Sequence, residues 1–224
     1  MATEDPGILD PGQWEIITAV TSTSNGGGDY LQVPVLDVSV GLIADFVQIS
    51  VAYPYVNADP DDGDSEWDFG NLEVGVKWRF FNSETLQLAI APVYAFGVTR
   101  STAEKGVGED TEVLVLPLAA EYQFGETWRL NASAAYAHVD DGGDEWGYST
   151  ALAYTLDDRW ELLFELTGAT DTDFDDDILD LRAGFDFSLI ENVHLLFSAA
   201  TGLREAEPED ELDYDIYLGL QFFF

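Results

Sequence analysis

The sequence predicts an all-β protein, a transmembrane antiparallel up-and-down β-barrel of twelve strands. Three observations predict it. From Trp14 to Phe224 the chain falls into stretches whose side chains alternate between apolar and mixed polar, each closed by a turn. The connections alternate as well. Those at 25–29, 57–68, 99–112, 140–145, 171–177 and 204–211 are all longer than those at 42–45, 82–85, 125–127, 157–159 and 190–192. In a meander, odd and even connections lie at opposite ends, and long loops opposite short turns are the signature of outer-membrane barrels. Finally, charge avoids the apolar faces: more than half of the acidic residues fall in the long connections.

Composition narrows the class. The 224 residues carry 44 Asp plus Glu against 8 Lys plus Arg, a formal net charge of -36. A nucleic-acid partner is excluded, because a phosphate backbone needs basic groups. With 46% hydrophobic and 13% aromatic residues the chain has too much apolar surface to remain disordered. It has no cysteine, so neither a disulfide framework nor a thiolate metal site is available. No apolar run approaches the roughly 18 residues of a membrane-spanning helix. No leader is visible either, and Met1-Ala2 reads as a start placed on a mature sequence.

In chain order, residues 1–13 form a segment of their own, expected either in the periplasm or folded into the lumen as a plug. Residues 14–224 form the barrel. Strand 14–24 opens on Trp14-Glu15, with Glu15 on the mixed face. Strand 30–41 switches its apolar parity near Leu36, the mark of a bulge. Strand 46–56 starts on Phe46 and ends with Tyr53 and Tyr55, an aromatic at each end. Strand 69–81 places Glu73, Lys77 and Arg79 on the mixed face, and Trp78 and Phe80 on the apolar one. Strand 86–98 carries Tyr94 and Phe96 toward the long-loop end. Strand 113–124 contributes Glu121 to the mixed face and Phe124 to the other.

Strand 128–139 turns Arg129, Ser133, Ala135 and Ala137 one way, with Trp128 and Tyr136 at its two ends. In strand 146–156, Trp146, Tyr148, Thr150, Leu152, Tyr154 and Leu156 oppose the small Gly147, Ser149, Ala151 and Ala153. Strand 160–170 adds Glu161 and Glu165 to the mixed face, and strand 178–189 adds Asp180, Arg182 and Asp186 opposite a stripe of Leu and Phe. After strand 193–203, the last strand, 212–224, sets Tyr214, Ile216, Leu218, Leu220, Phe222 and Phe224 against Asp213 and Asp215.

Backbone groups inside a bilayer have no water to bond, so strands can cross only as a sheet without open edges. Each predicted strand is long enough for the roughly 9–11 residues of a tilted crossing. Trp and Phe at the short-turn end, and Tyr, Trp and Phe at the long-loop end, form the two expected interfacial girdles. A soluble sandwich also alternates. Its exterior, however, would be the Gly-, Ala- and Ser-rich face, and the loop asymmetry would go unexplained.

The closing alternation, which ends on Phe224, resembles the C-terminal recognition signal that the barrel-assembly machinery of bacterial outer membranes reads. The opening stretch "TEDPGILDPGQWEI", with Asp5-Pro6-Gly7, Pro11-Gly12 and Trp14-Glu15, resembles the start of mature chains in a family of outer-membrane transporters. That family is named for the meta-cleavage pathway of phenol degradation. The resemblance implies passage of small, aromatic or hydrophobic compounds and supplies no catalytic motif.

The function expected is therefore a passive outer-membrane channel for small solutes, biased toward cations. Its partners would be the bilayer, lipopolysaccharide, the assembly machinery and the solute. The lumen candidates are Glu73, Lys77, Arg79, Glu121, Arg129, Glu161, Glu165, Asp180, Arg182, Asp186, Asp213 and Asp215. Such charges either pair with one another and fill the bore or form a constriction that selects.

Enzymatic chemistry is poorly provided for. His138 stands beside Asp140, while His194 and Ser198 share a face four residues apart, roughly 13 Å along a strand. A lipid-modifying enzyme and a surface-binding barrel working through its loops are the alternatives. No cofactor is expected beyond loosely held divalent cations. Their oxygen ligands would be Asp59, Asp61, Asp62 and Asp64 in one loop and Asp173, Asp175, Asp176 and Asp177 in another. Neither loop has EF-hand spacing.

Overall fold

A computed structural model describes residues 3–44, 46–60, 64–140, 142–174, 177–205 and 212–224. In these residues lie fourteen strands: β1 (Trp14–Asn25), β2 (Gly28–Ile43), β3 (Val47–Pro60), β4 (Glu66–Phe69), β5 (Leu72–Asn82), β6 (Leu86–Ile90), β7 (Val93–Phe96), β8 (Val113–Phe124), β9 (Trp128–Val139), β10 (Glu145–Thr155), β11 (Trp160–Asp171), β12 (Asp177–Ile190), β13 (Val193–Arg204) and β14 (Leu212–Phe223). Every ladder is antiparallel between sequence neighbours, and β1 pairs with β14. Strands β4 and β5 share one stave against β3, and β6 and β7 share another between β5 and β8. The result is a closed barrel of twelve staves, in agreement with the sequence.

Both interrupted staves break where the sequence removes a ladder donor or a side chain. In one, Gly70 bonds the carbonyl of Pro54 through its N–H (3.0 Å), and a Cβ on Gly70 would sit 3.0 Å from the Pro54 ring. In the other, Pro92 lacks an N–H, and its carbonyl accepts from Val76 (2.9 Å). The bulge foreseen near Leu36 lies at Val33-Pro34. The β1–β2 register runs Ala19↔Val35 and then Thr21↔Gln32, so β2 spends one extra residue there. The bulge flips the parity of β2 and turns Asp37 inward.

Closure is completed at the short-turn end, where Trp14 and Phe224 exchange backbone bonds (3.1 and 2.9 Å). Burial follows the membrane logic and reverses that of a soluble core. Leu36, Val51, Leu118, Phe164, Leu181 and Leu218 stand exposed around the outside, whereas Glu165, Asp215 and Arg79 are buried within. Aromatic pairs collect at both ends. Trp128–Tyr154 (4.5 Å) and Trp160–Phe187 (4.3 Å) mark the short-turn end; Tyr53–Phe69 (4.8 Å) and Tyr136–Trp146 (5.1 Å) mark the long-loop end.

Three long connections differ from expectation. Within 57–68, β3 runs on to Pro60 and β4 occupies Glu66–Phe69. The connection foreseen at 25–29 shrinks to Gly26-Gly27, because β1 and β2 continue to Asn25 and from Gly28. The segment after β7 is structured, with one short helix, α1 (Arg100–Ala103). Asn71 clamps it by donating to the carbonyls of Phe96 (2.9 Å) and Glu109 (2.8 Å) and accepting from the N–H of Glu109 (3.0 Å). Beyond α1 the chain turns at Gly106 (φ +72°), and Val107 packs on Val56, Ala58 and Tyr30 at the inner face.

Leu218 lies mid-strand on the outer face, so Leu218→Arg should destabilise the barrel by about 2–4 kcal/mol in refolding titrations into lipid vesicles.

Candidate functional site

The lumen is built from alternate residues of every stave, and register fixes which of them meet. Toward the short-turn end a polar ribbon crosses β5, β6, β8, β9 and β11. Arg79 Nη1 donates to Gln87 Oε1 (2.6 Å), and Gln87 Nε2 donates to Glu121 Oε1 (3.2 Å). Arg129 pairs with Glu121 (3.4 Å) and with Glu161 (2.6 Å). The Arg129–Glu161 pair spans β10, whose Ala153 lies opposite Arg129 and is fully buried. A larger residue there would block the reach. Of the small inward groups of β10, Ala153 thus lies beneath an ion pair, while Ser149 meets Ser133 (2.6 Å).

Around the other half, Arg182 is the hub. Its Nη1 donates to Asp215 Oδ1 (2.6 Å) and to Ser198 Oγ (3.0 Å), and its Nε faces Glu165 Oε2 at 3.4 Å. Thr23 donates to the second oxygen of Asp215 (2.7 Å). The side chain of Glu165 is wholly buried, which is tolerable only beside such a partner. Nearer the short turns, His194 Nδ1 meets Asp186 Oδ1 (2.7 Å), and Gln221 donates to Glu15 (2.6 Å).

Residues 3–10 run through this lumen. The segment leaves the wall beside β2, where Pro11 bridges Gly41 in parallel and the N–H of Gly12 donates to the Gly41 carbonyl (2.8 Å). A Cβ on Gly41 would strike the carbonyl oxygens of Leu9 and Asp10, so glycine is required for the passage. Leu9 N–H donates to Gln48 Oε1 (3.1 Å), Glu4 pairs with Lys77 (2.6 Å), and Thr3 N–H reaches Glu165 on the far wall. Around the segment lie a chamber of about 610 Å³, bounded among others by Asp5, Lys77, Arg129 and Asp186, and one of about 250 Å³ beside Asp37 and Ser50.

All twelve lumen candidates belong to the inward parity, and the ladders unite nine of them into the groups above. Glu73, Asp180 and Asp213 make no side-chain ion pair among the described residues. The sequence reading missed Asp37, Gln48, Gln87 and Gln221. Asp37 was hidden by the Val33-Pro34 bulge, although the parity switch itself was the clue. The glutamines carry no charge to flag them, yet they bridge the charged groups.

Each histidine meets a carboxylate that the sequence did not single out as its partner. His138 takes Asp144 (2.7 Å) rather than Asp140, because the loop folds Asp144 back to Tyr136 O–H and to the Val139 N–H (3.3 Å). His194 takes Asp186, one strand across, and makes no bond to Ser198 among the described residues, as their spacing along the strand requires. Of the metal candidates, Asp59 lies opposite Asp29 in the β2–β3 ladder and Asp177 is held by Arg204. Asp61, Asp62, Asp175 and Asp176 fall outside the described residues. Among the described residues no three His, Asp or Glu side chains gather as metal ligands.

Comparison with known proteins places the chain. A family model described as "Putative MetA-pathway of phenol degradation" matches residues 13–209. Among solved structures, an outer membrane channel from Pseudomonas putida F1 is similar over 100% of both chains, at 14% identity and a TM-score of 0.76. The KdgM porin in complex with disordered oligogalacturonate is similar over 95% of this chain and 99% of that one, at 9% identity and a TM-score of 0.65. The CymD monoaromatic hydrocarbon channel is similar over 96% and 88%, at 9% identity and a TM-score of 0.56. At these identities the likeness shows the fold. Among the curated proteins no sequence matches.

Two outcomes are expected from the site. Arg182→Ala strands the buried Glu165 charge and should cost roughly 3–5 kcal/mol in urea unfolding from vesicles. On the 140–144 connection, hydrogen bonds from Tyr136 and His138 hold Asp144 below the usual carboxylate range. Its anchoring is therefore complete above the ordinary value of 3.8 and is lost as pH falls through the depressed one. Carboxyl NMR titration should show that depression, reduced in Tyr136→Phe.

Proposed function

We propose that this chain, which belongs to the MetA-pathway family of phenol degradation, is a passive outer-membrane channel for small solutes with a bias toward cations. One observation carries the proposal: a closed barrel clad in exposed apolar residues encloses charged, cavity-bearing space. A structural post would have its centre filled, whereas here chambers of about 610 and 250 Å³ remain beside the segment 3–10. That segment crosses the bore from Lys77 to Glu165.

Cation bias follows from the charge inventory. The long loops are acidic and concentrate cations at the mouth. Inside, Lys77, Arg129 and Arg182 are each tied to carboxylates, while among the described residues Asp37, Glu73 and Asp180 have no basic partner at hydrogen-bonding distance. A permeating cation then meets carboxylates without a base, whereas these bases are already engaged by acids. The groups Arg79–Gln87–Glu121–Arg129–Glu161 and Glu165–Arg182–Asp215 set the bore, and Asp186 and Asp213 flank it. The likeness to the CymD monoaromatic hydrocarbon channel and the phenol-degradation family support small aromatic compounds among the solutes.

The barrel sits in the bacterial outer membrane, in contact with lipopolysaccharide. The terminal stripe Tyr214, Ile216, Leu218, Leu220, Phe222 and Phe224 serves as its assembly signal. A lipid-modifying enzyme is less well supported, because neither histidine is hydrogen-bonded to a hydroxyl among the described residues.

In planar bilayers the protein should conduct with cations permeating several-fold better than anions. Deleting residues 3–10 should raise the conductance several-fold. A chain that passes neither ions nor small solutes in either form would refute the channel.

A further inference from the structure

We infer that the long-loop end of the lumen holds a binding site for a small organic ammonium ion, one positive charge on a single-ring or short alkyl body. The inference rests on reading the enclosed space as a solute path and assigns the solute class. A cavity of about 230 Å³ lies on the inner wall of β2, β3 and β5. Val35, Pro54, Val56 and Val107 supply its apolar walls, and Gln32, Asn71 and Glu73 its polar ones, the Asn71 amide being already spent on Phe96 and Glu109. It is smaller than the roughly 300–1,000 Å³ of drug-sized sites, which limits the occupant to one ring or a short chain.

Glu73 is the one ionisable group among the lining residues. It is exposed to the lumen, and it makes no hydrogen bond or ion pair among the described residues. Gln32 makes none either, so its amide is open to a ligand. A second carboxylate strengthens the field: register places Asp37 opposite Ala52 and Ala52 opposite Glu73, so the two acids flank one methyl group from the strands on either side of β3. The nearest base, Lys77, is held by Glu4 and Asp5. The site therefore offers an apolar body-sized space and unneutralised negative charge, the pairing that an organic cation satisfies and that an anion cannot.

The apolar roof is built by the fold. Val107 arrives on the connection that Asn71 clamps at Phe96 and Glu109 and that Lys105 ties to Asp68 (3.0 Å). Gly106, at φ +72°, turns the chain so that Val107 faces Val56 and Ala58.

Equilibrium titration of the full chain in nonionic detergent tests the site without requiring conduction, so it can fail or succeed independently of the channel. The probes are benzylammonium, benzyl alcohol and benzoate, which share one ring and differ in charge. Benzylammonium should bind about tenfold or more tightly than benzyl alcohol, and benzoate should not bind. Glu73→Gln should abolish the preference for the ammonium while benzyl alcohol still binds, and Val107→Gly should weaken both. Equal binding of the three probes by the native chain would overturn the site, as would an undiminished ammonium preference in Glu73→Gln. Heat-modifiable gel migration checks that each variant is folded.

Discussion

A β-strand in hydrocarbon has no alternative hydrogen-bond partner, so every edge must find another edge. That constraint organises this molecule. The first strand meets the last, twelve staves result, and each side chain is committed by parity to lipid or lumen. Everything functional is then decided on the inner face, where space is short and charge is costly. The bonds between Trp14 and Phe224 matter because they let the whole ladder close on itself.

Inside, charges are managed by pairing across strands rather than by exposure to water. Arg182 is the clearest instance, since it serves Asp215, Ser198 and Glu165 at once. Arg129 reaches Glu161 over the methyl of Ala153, which ties the small residues of β10 to the electrostatics of its neighbours. Asp37, Glu73, Asp180 and Asp213 stand outside this pairing, with no side-chain ion pair among the described residues.

The fold was legible because alternation over eleven or more residues is difficult to mistake and loop asymmetry supplies the direction. Inward residues on unbroken strands followed directly from parity, as with Glu161, Glu165, Arg182 and Asp186. Where the backbone departs from a regular ladder, parity fails. Asp37 was lost to one extra residue at Val33-Pro34, and the clamped segment from Gly97 to Thr111 read only as a loop. Hydrogen-bond partners were not legible at all, because they depend on the stagger between strands: His138 finds Asp144 rather than the nearer Asp140, and His194 finds Asp186.

The route of residues 3–10 links the two ends of the chain. This strip starts at the rim next to the seam between β1 and β14 and finishes against the opposite wall at Glu165. With the seam closed by Trp14 and Phe224, the strip is ringed by wall on every side, held at Lys77 and at Glu165. The tail end of the polypeptide thus fences in its beginning.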